Sequence, residues 1–298
     1  MLYKMKYKLY VTILLSVLSV IIFYFVYRNI LEGTLRNLPK DYFVEEKIEV
    51  ELPVIEQGKF IPKIFHRTHK TKEIIKLFKD VEYKIKKLHP SYQILNYDSD
   101  DVINFIKENY SERILKAYLS IDDKYGAAKA DFFRYLLIYI KGGVYLDIKS
   151  GPVKNIDKLL EKAKNKMIVS RDAPIFGWFW PILFPYGENI QWAVIAPKGH
   201  PVIKELIIQT MTHIEYDYSK EKNFYGNYGT LCLAGPIPYT IITNKKENRE
   251  KIYYLFLNHN RYLKKYLTNY TQKRKQANKL GASHYTYEKK NIINEYNI

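Results

Sequence analysis

Two short clusters hold the residue types most able to do chemistry together: Asp131 with Arg134, and Asp147 with Lys149. Residues three apart on a helix are neighbours on one face, so Asp131 and Arg134 adjoin if that stretch is helical. A carboxylate accepts hydrogen bonds and a guanidinium donates them, so such a pair can grip the hydroxyls of a sugar. The small Ala127 and Ala128 leave space beside it. Without further context a structural ion pair is the plainer reading. Asp147 is a candidate of another kind. A carboxylate at the carboxyl end of a strand in an open α/β sheet sits where such sheets bind ligands. There it can hold a divalent ion that bridges the phosphates of a nucleotide sugar.

The surrounding sequence supplies elements to position these groups. Over 125–141 the residues Phe133, Leu136, Leu137 and Ile140 follow helical spacing and form a core stripe, with Ala127, Asp131, Arg134 and Ile138 on another face. Gly142 and Gly143 stop this helix and turn the chain into a strand. Along that strand Val144, Leu146 and Ile148 alternate with Tyr145, Asp147 and Lys149, so the two sets face opposite sides. Further strands are expected at Lys63–Arg67, Tyr92–Tyr97, Met167–Ser170 and Gln191–Ala196, with helices at 72–88, 100–118, 155–165 and 201–214. This alternation predicts an α/β sandwich around a mainly parallel sheet.

At the N-terminus Leu9–Tyr27 carries no charged residue and is long enough for one membrane crossing. Lys4, Lys6 and Lys8 precede it, which predicts a cytosolic tail at 1–8 and a C-terminal part across the membrane. Residues 28–59 show no sustained period and read as a stem, leaving 60–298 as the domain. The chain is therefore expected to be a single-pass type II membrane protein facing a Golgi- or ER-type lumen or its equivalent. Asn109-Tyr110-Ser111 and Asn269-Tyr270-Thr271 are compatible with such a location.

Composition excludes more than it assigns. The 298 residues carry a formal charge of +17, but the basic residues are scattered, densest around Lys264, Lys265, Lys273, Arg274 and Lys275. They read as a solvated basic face, and no nucleic-acid partner is expected. The single cysteine, Cys232, precludes an internal disulfide and a cysteine zinc site. No HExxH, Walker A or G-x-S-x-G pattern occurs, which removes the common protease, NTPase and α/β-hydrolase readings. The aromatic stretch Pro174–Tyr186 reads as a buried loop or an acceptor-side lip, and Glu215 and Asp217 stand as acceptor-side carboxylates on spacing alone.

Several segments together resemble the DXD-motif sugar transferases of glycosyltransferase family 32. Ala128-Lys129-Ala130-Asp131, Arg134-Tyr135 and Gly142-Gly143-Val144-Tyr145-Leu146-Asp147 follow that family's A-K-x-D-x-x-R-Y…Y-G-G-x-Y-L-D-x-D pattern. Ile61–Thr68 resembles its opening I-P-K-x-I-H-Q-T strand, and Pro90–Asp98 its P-x-Y-x-x-x-x-W-D segment. Ala234-Gly235-Pro236 is similar to a T-G-P turn, and Ser283-His284-Tyr285 lies where the family often has a histidine. The resemblance implies a GT-A-like, Rossmann-like fold. It implies transfer of a sugar, mannose first, from GDP-mannose or a UDP-sugar to a glycan or glycolipid acceptor, with retention. It assigns Asp131 and Arg134 to the donor sugar, Asp147 to the ribose or a metal, and the His66–Arg67 region to the base pocket. Ala128, Gly142, Gly143 and Tyr145 join the donor-binding set, and His284 the diphosphate or ion.

This sequence departs from the pattern at its last position, where Lys149 replaces the second acidic residue. A charged lysine has no lone pair for a metal. Lys149 then either sets its ammonium against the diphosphate, or leaves a manganese or magnesium ion to Asp147, His284, phosphates and water. A site without transfer activity, on a membrane-tethered sugar-nucleotide- or glycan-binding protein, is the alternative.

Overall fold

The computed structural model describes residues 10, 12, 14–22, 48–171, 188–216, 225–255, 262–265, 270–281 and 288–294. Their fold is a mixed α/β sandwich built on a six-stranded sheet. The strands are β1 (Ile64–Thr68), β2 (Gln93–Tyr97), β3 (Gly143–Leu146), β5 (Met167–Ser170), β6 (Ala193–Ala196) and β7 (Ile252–Leu255), ordered β2-β1-β3-β6-β5-β7. A separate ribbon pairs β4 (Ser150–Pro152) with β8 (Leu263–Lys265).

The sheet is less parallel than the alternation of elements predicts. β1 runs parallel to β2 and β3, and β5 parallel to β7, but β6 is antiparallel to both of its neighbours. Periodicity reports which residues face a core and carries no information about strand direction. Reversal of β6 matters for the site, because it brings the residues just before β6 to the edge where β3 ends. There the Asp147 N–H donates to the carbonyl of Trp192 at 2.9 Å.

Two cores lie on opposite faces of the sheet. One holds Phe65, Val144, Leu146 and Ile148 against α1 (Lys72–Lys76), α2 (Lys79–Leu88) and α6 (Asp157–Ala163). The other holds Tyr145, Val169 and Val194 against α3 (Ser99–Asn109), α4 (Glu112–Ser120), α5 (Gly126–Lys141) and α7 (Pro201–Glu215), with α8 (Gly226–Leu233) and α9 (Pro236–Asn244) alongside. Val144 and Tyr145 thus enter opposite cores, as strand alternation requires. The helix α5 is buried on all sides from Phe132 to Tyr139, with apolar residues beyond the expected stripe and Arg134 as the charged exception. A last helix, α10 (Tyr270–Lys279), follows β8.

Residues 48–59 differ from a free stem. Ile48, Val50, Leu52 and Ile55 pack against the second core, and the Gly58 N–H donates to the Lys198 carbonyl at 3.0 Å. Arg113 donates to the Glu49 carbonyl at 2.9 Å, and Tyr139 to that of Pro53 at 3.1 Å. The folded unit therefore begins before residue 60. Its alternating apolar residues were masked in the sequence by interleaved charges and Pro53. Residues 9, 11, 13 and 23–27 of the expected anchor, and 28–47 of the expected stem, lie outside the described residues. Residues 14–22 are helical, and among the described residues no helix is long and apolar enough to cross a membrane.

Candidate active site

The glycine turn between α5 and β3 fixes where the two clusters meet. Gly142 and Gly143 have φ of +64° and +103°. A Cβ on Gly142 would lie 2.6 Å from the Lys198 nitrogen, and one on Gly143 would lie 2.8 Å from the Ile64 carbonyl oxygen. Only glycine meets both the dihedral and the spatial demand. The turn reverses the chain so sharply that the face of α5 bearing Arg134 ends beside the carboxyl end of β3.

Arg134 is the hub of the site. One terminal nitrogen, Nη2, lies 2.6 Å from Asp131 Oδ1 and 3.1 Å from Asp147 Oδ1. The other, Nη1, donates to the backbone carbonyl of Gln191 at 2.6 Å and to its side-chain oxygen at 2.8 Å. The guanidinium also lies over the Tyr145 ring, 4.7 Å from its centroid. Gln191 is anchored in turn, its amide donating to Tyr135 Oη at 3.0 Å and to the Ala234 carbonyl at 3.2 Å. The Ala234-Gly235-Pro236 turn thus braces the site from behind.

Asp131 and Arg134 are buried, at 7% and 3% exposure, whereas the Asp147 side chain is 28% exposed. Burial drives the Asp131 carboxyl up, Arg134 opposes that, and Asp147 adds to it, leaving it at about 7. For Arg134 burial works against the charge, but Asp131, Tyr145 and Asp147 outweigh it and hold the group above its usual range. One cation therefore serves two carboxylates at the cavity wall, Asp131 nearly buried and Asp147 more exposed.

That cavity has a volume of about 710 Å³, and Asp131, Arg134, Tyr145, Asp147, Lys149 and Gln191 all line it. The space falls within the range of small-molecule and cofactor sites. It opens where β1 and β3 end side by side, at the sheet edge where open α/β folds bind ligands. Ala127 contributes to the lining, as its size allows, while Ala128 turns into the core.

His66, Arg67, Gly142 and Gly143, also in the expected donor set, do not line this cavity. His66 is fully buried; its Nε2 donates to the Gly142 carbonyl at 3.0 Å, and Tyr97 Oη lies 3.2 Å from its Nδ1. Burial lowers its pKa to about 4, so it is a neutral clamp on the glycine turn. Arg67, also fully buried, bonds the carbonyl of Ile148 and lies 3.4 Å from Glu82. It holds the Asp147–Lys149 turn from beneath and does not line the cavity. Strand alternation explains both outcomes: the opening strand is central in the sheet, so its side chains meet protein on either face. The loop residue His69 lines the cavity where these two do not. Its Nδ1 accepts the Lys70 N–H at 2.8 Å, and burial lowers its pKa to about 4, so its proton sits on Nε2 and is available to donate.

Glu215 forms a bidentate pair with Arg113, at 2.7 Å for both contacts, and does not line the cavity. His284, Asp217 and the Pro174–Tyr186 stretch lie outside the described residues. Among the described residues no group of three or more His, Cys, Asp and Glu side chains could hold a metal ion. Gln191 and His69 are the contributors that spacing alone missed. The signal for Gln191 was a polar residue leading into the apolar run Ala193–Ala196, but its place opposite Asp147 depends on the direction of β6.

Residues 65–166 match the family model described as a glycosyltransferase sugar-binding region containing a DXD motif, and this range takes in Asp131, Arg134, Asp147 and Lys149. Mannosyl phosphorylinositol ceramide synthase of Saccharomyces cerevisiae is 33% identical over 157 residues, covering 53% of this chain and 39% of that protein. The initiation-specific alpha-1,6-mannosyltransferase of Schizosaccharomyces pombe is 30% identical over 182 residues, covering 57% of this chain and 42% of that protein. The matches thus take in about half or less of the length of these relatives. Among solved structures, PaToxG glycosyltransferase aligns with a TM-score of 0.43 and 17% identity, covering 75% of this chain and 79% of that one.

Proposed function

We propose that this chain is a glycosyltransferase that moves a hexose, mannose first among the possibilities, from a nucleotide sugar to a glycan or lipid acceptor. The observation that carries the reading is the single Arg134 guanidinium tying Asp131, Asp147 and Gln191 together at the wall of one cavity. The family-model match and the mannosyltransferase relatives support it, with GDP-mannose as the leading donor and a UDP-sugar next. The same reading takes the fold as GT-A-like and the transfer as retaining.

In this reading the largely buried Asp131–Arg134 pair contacts hydroxyls of the donor sugar where it lines the cavity, and the more exposed Asp147 contacts the ribose. Their buried partners hold them in place before the donor arrives, so little reorganisation accompanies reaction. As the bond between the anomeric carbon and the β-phosphate oxygen breaks, its electron pair goes to that oxygen. The acceptor hydroxyl oxygen bonds the anomeric carbon and gives up its proton to the departing phosphate. Residues 1–8, 9–27 and the segment after them act as tail, anchor and link, placing the domain on a non-cytosolic membrane face.

The described residues do not reproduce a two-carboxylate cation site. Asp147 shares one oxygen with Arg134, and the second acidic position is Lys149. Neutral His69, with its Nδ1 accepting a backbone N–H, offers a donor instead of a lone pair.

Hydrolysis and transfer with a panel of nucleotide sugars test the proposal directly. Release of nucleoside diphosphate from one donor, lost in Asp147→Ala, is the expected result. Donor binding without any turnover would favour the alternative of a membrane-tethered binding protein, and absence of donor binding would refute the transferase reading.

A further inference from the structure

We infer that the donor diphosphate is held by a set of cationic side chains in place of a metal ion, half of it supplied by the C-terminal segment. This rests on the reading of the cavity as a nucleotide-sugar site.

The turn that carries Asp147 and Lys149 runs straight into β4, and β4 pairs antiparallel with β8. In that register Lys265 lies opposite Ser150, the residue that follows Lys149, and both lysines line the cavity. The Lys265 ammonium is 5.4 Å from the centroid of the Trp192 ring, and the Trp192 carbonyl accepts the Asp147 N–H. Lys265, Trp192 and Asp147 therefore belong to one cluster, and all three line the cavity. The following helix, α10, brings Arg274 to the same cavity. It is fastened there by an ion pair from Lys273 to Asp80, by Lys273 lying 5.1 Å from the Phe78 ring, and by the bond from Lys70 Nζ to the Gly281 carbonyl at 3.1 Å. Lys70 lines the cavity as well.

Lys70, Lys149, Lys265 and Arg274 thus all line one cavity, with Lys149 at the sequence position where the resemblance expects a second carboxylate. The cavity lining also includes Asp123, Asp131, Asp147 and Glu188, of which Asp131 is paired with Arg134. A nucleotide sugar carries two ionised phosphates, and negative charge grows on the β-phosphate as the sugar departs. Ammonium and guanidinium groups stabilise that growing charge without the ligands a metal demands. Arginine also grips two phosphate oxygens at once. The sequence change at position 149 and the delivery of Lys265 and Arg274 to the same cavity are two independent parts of the same device.

Isothermal titration of the full-length protein in detergent, stripped with EDTA, reads the device without relying on turnover. The titrants are inorganic pyrophosphate, GDP, UDP and their sugar conjugates, each with and without manganese. Pyrophosphate and one nucleoside diphosphate are expected to bind in EDTA. Lys265→Ala and Arg274→Ala each weaken that binding about tenfold or more, as loss of a hydrogen bond to a charged group does. Lys149→Asp, which restores the acidic position, is expected to bind the diphosphate only with manganese. A wild-type protein that binds nucleotide only with manganese would overturn the inference while leaving the donor reading intact, as would unchanged binding in Lys265→Ala and Arg274→Ala. Pyrophosphate binding in EDTA with no affinity for any nucleotide sugar would keep the cationic set and refute the donor reading. Binding of none of the titrants under either condition would sink both.

Discussion

Replacing Arg134 with methionine tests the central claim that one guanidinium serves two carboxylates. Methionine keeps much of the length and apolar contact but removes both bonds to Gln191 and both contacts to Asp131 and Asp147. Removing one partner of a buried ion pair costs about 3–5 kcal/mol, because the remaining charge is left without compensation. The cost depends on pH in a predictable direction. Asp131 already stands at about 7 in the folded protein, against an unfolded value of about 3.9, so the folded state binds its proton more tightly. Such a group contributes stability that is complete below the unfolded pKa and is lost as pH rises through the folded one. Arg134 is the influence holding the folded value down, so Arg134→Met moves it higher. At about pH 5 both proteins carry protonated Asp131 and the pH-dependent part of the loss vanishes. At about pH 8, about one unit above the wild-type value, it approaches about 1.4 kcal/mol and no more, because a carboxyl raised further stays protonated.

Urea unfolding of wild type, Arg134→Met and Arg134→Met/Asp131→Asn at the two pH values separates these parts. The single variant should be markedly less stable relative to wild type at the higher pH, and the added Asp131→Asn should recover most of that pH-dependent component. A loss that is equal at both pH values, or no recovery on adding Asp131→Asn, would show that Asp131 and Arg134 are not an isolated buried pair. The cavity geometry would then need another explanation.

Three further outcomes follow from the same geometry. Asp147→Asn keeps the shape of a half-exposed side chain, so donor turnover should fall more than about tenfold while the melting temperature stays near wild type. Unchanged turnover would remove Asp147 from the site. Gly143→Ala places a Cβ 2.8 Å from the Ile64 carbonyl oxygen at a φ of +103°, and should cost about 1–3 kcal/mol in chemical denaturation, with Gly143→Ser no better. Gln191→Leu removes two donated bonds and the side-chain acceptor of Arg134. It should lower stability by about 1–3 kcal/mol and raise donor KM; a normal KM would limit Gln191 to the scaffold.

Much of the scaffold was legible because it follows from periodicity and backbone chemistry. The helix over 126–141 and the strand Met167–Ser170 matched their sequence patterns closely. The expected helices at 72–88 and 100–118 each proved to be two, broken at Leu77–Phe78 and Tyr110–Ser111, where no glycine or proline marks the break. Residues after about 216 were the least readable. Their helices α8 and α9 are apolar on most faces and give no clean alternation.

The expected strand face shared by Asp147 and Lys149 is a turn, since β3 ends at Leu146 and the Ser150 N–H donates to the Asp147 carbonyl at 2.7 Å. The sequence by itself determined that Asp131 and Arg134 adjoin and that a glycine pair ends their helix. Each of these follows from local spacing, which a helix or a strand converts directly into geometry. Which cation Asp147 meets, which carbonyls anchor Arg134, and why His66 and Arg67 serve the scaffold instead of a ligand were decided only by tertiary structure. So was the placing of Lys265 and Arg274, far along the chain, in the same cavity lining as Lys149. Those outcomes depend on the order and direction of strands, and especially on the reversal of β6 and the pairing of β4 with β8. Side-chain spacing along a segment is set by its own backbone, but its neighbours across the sheet are chosen by how whole elements pack.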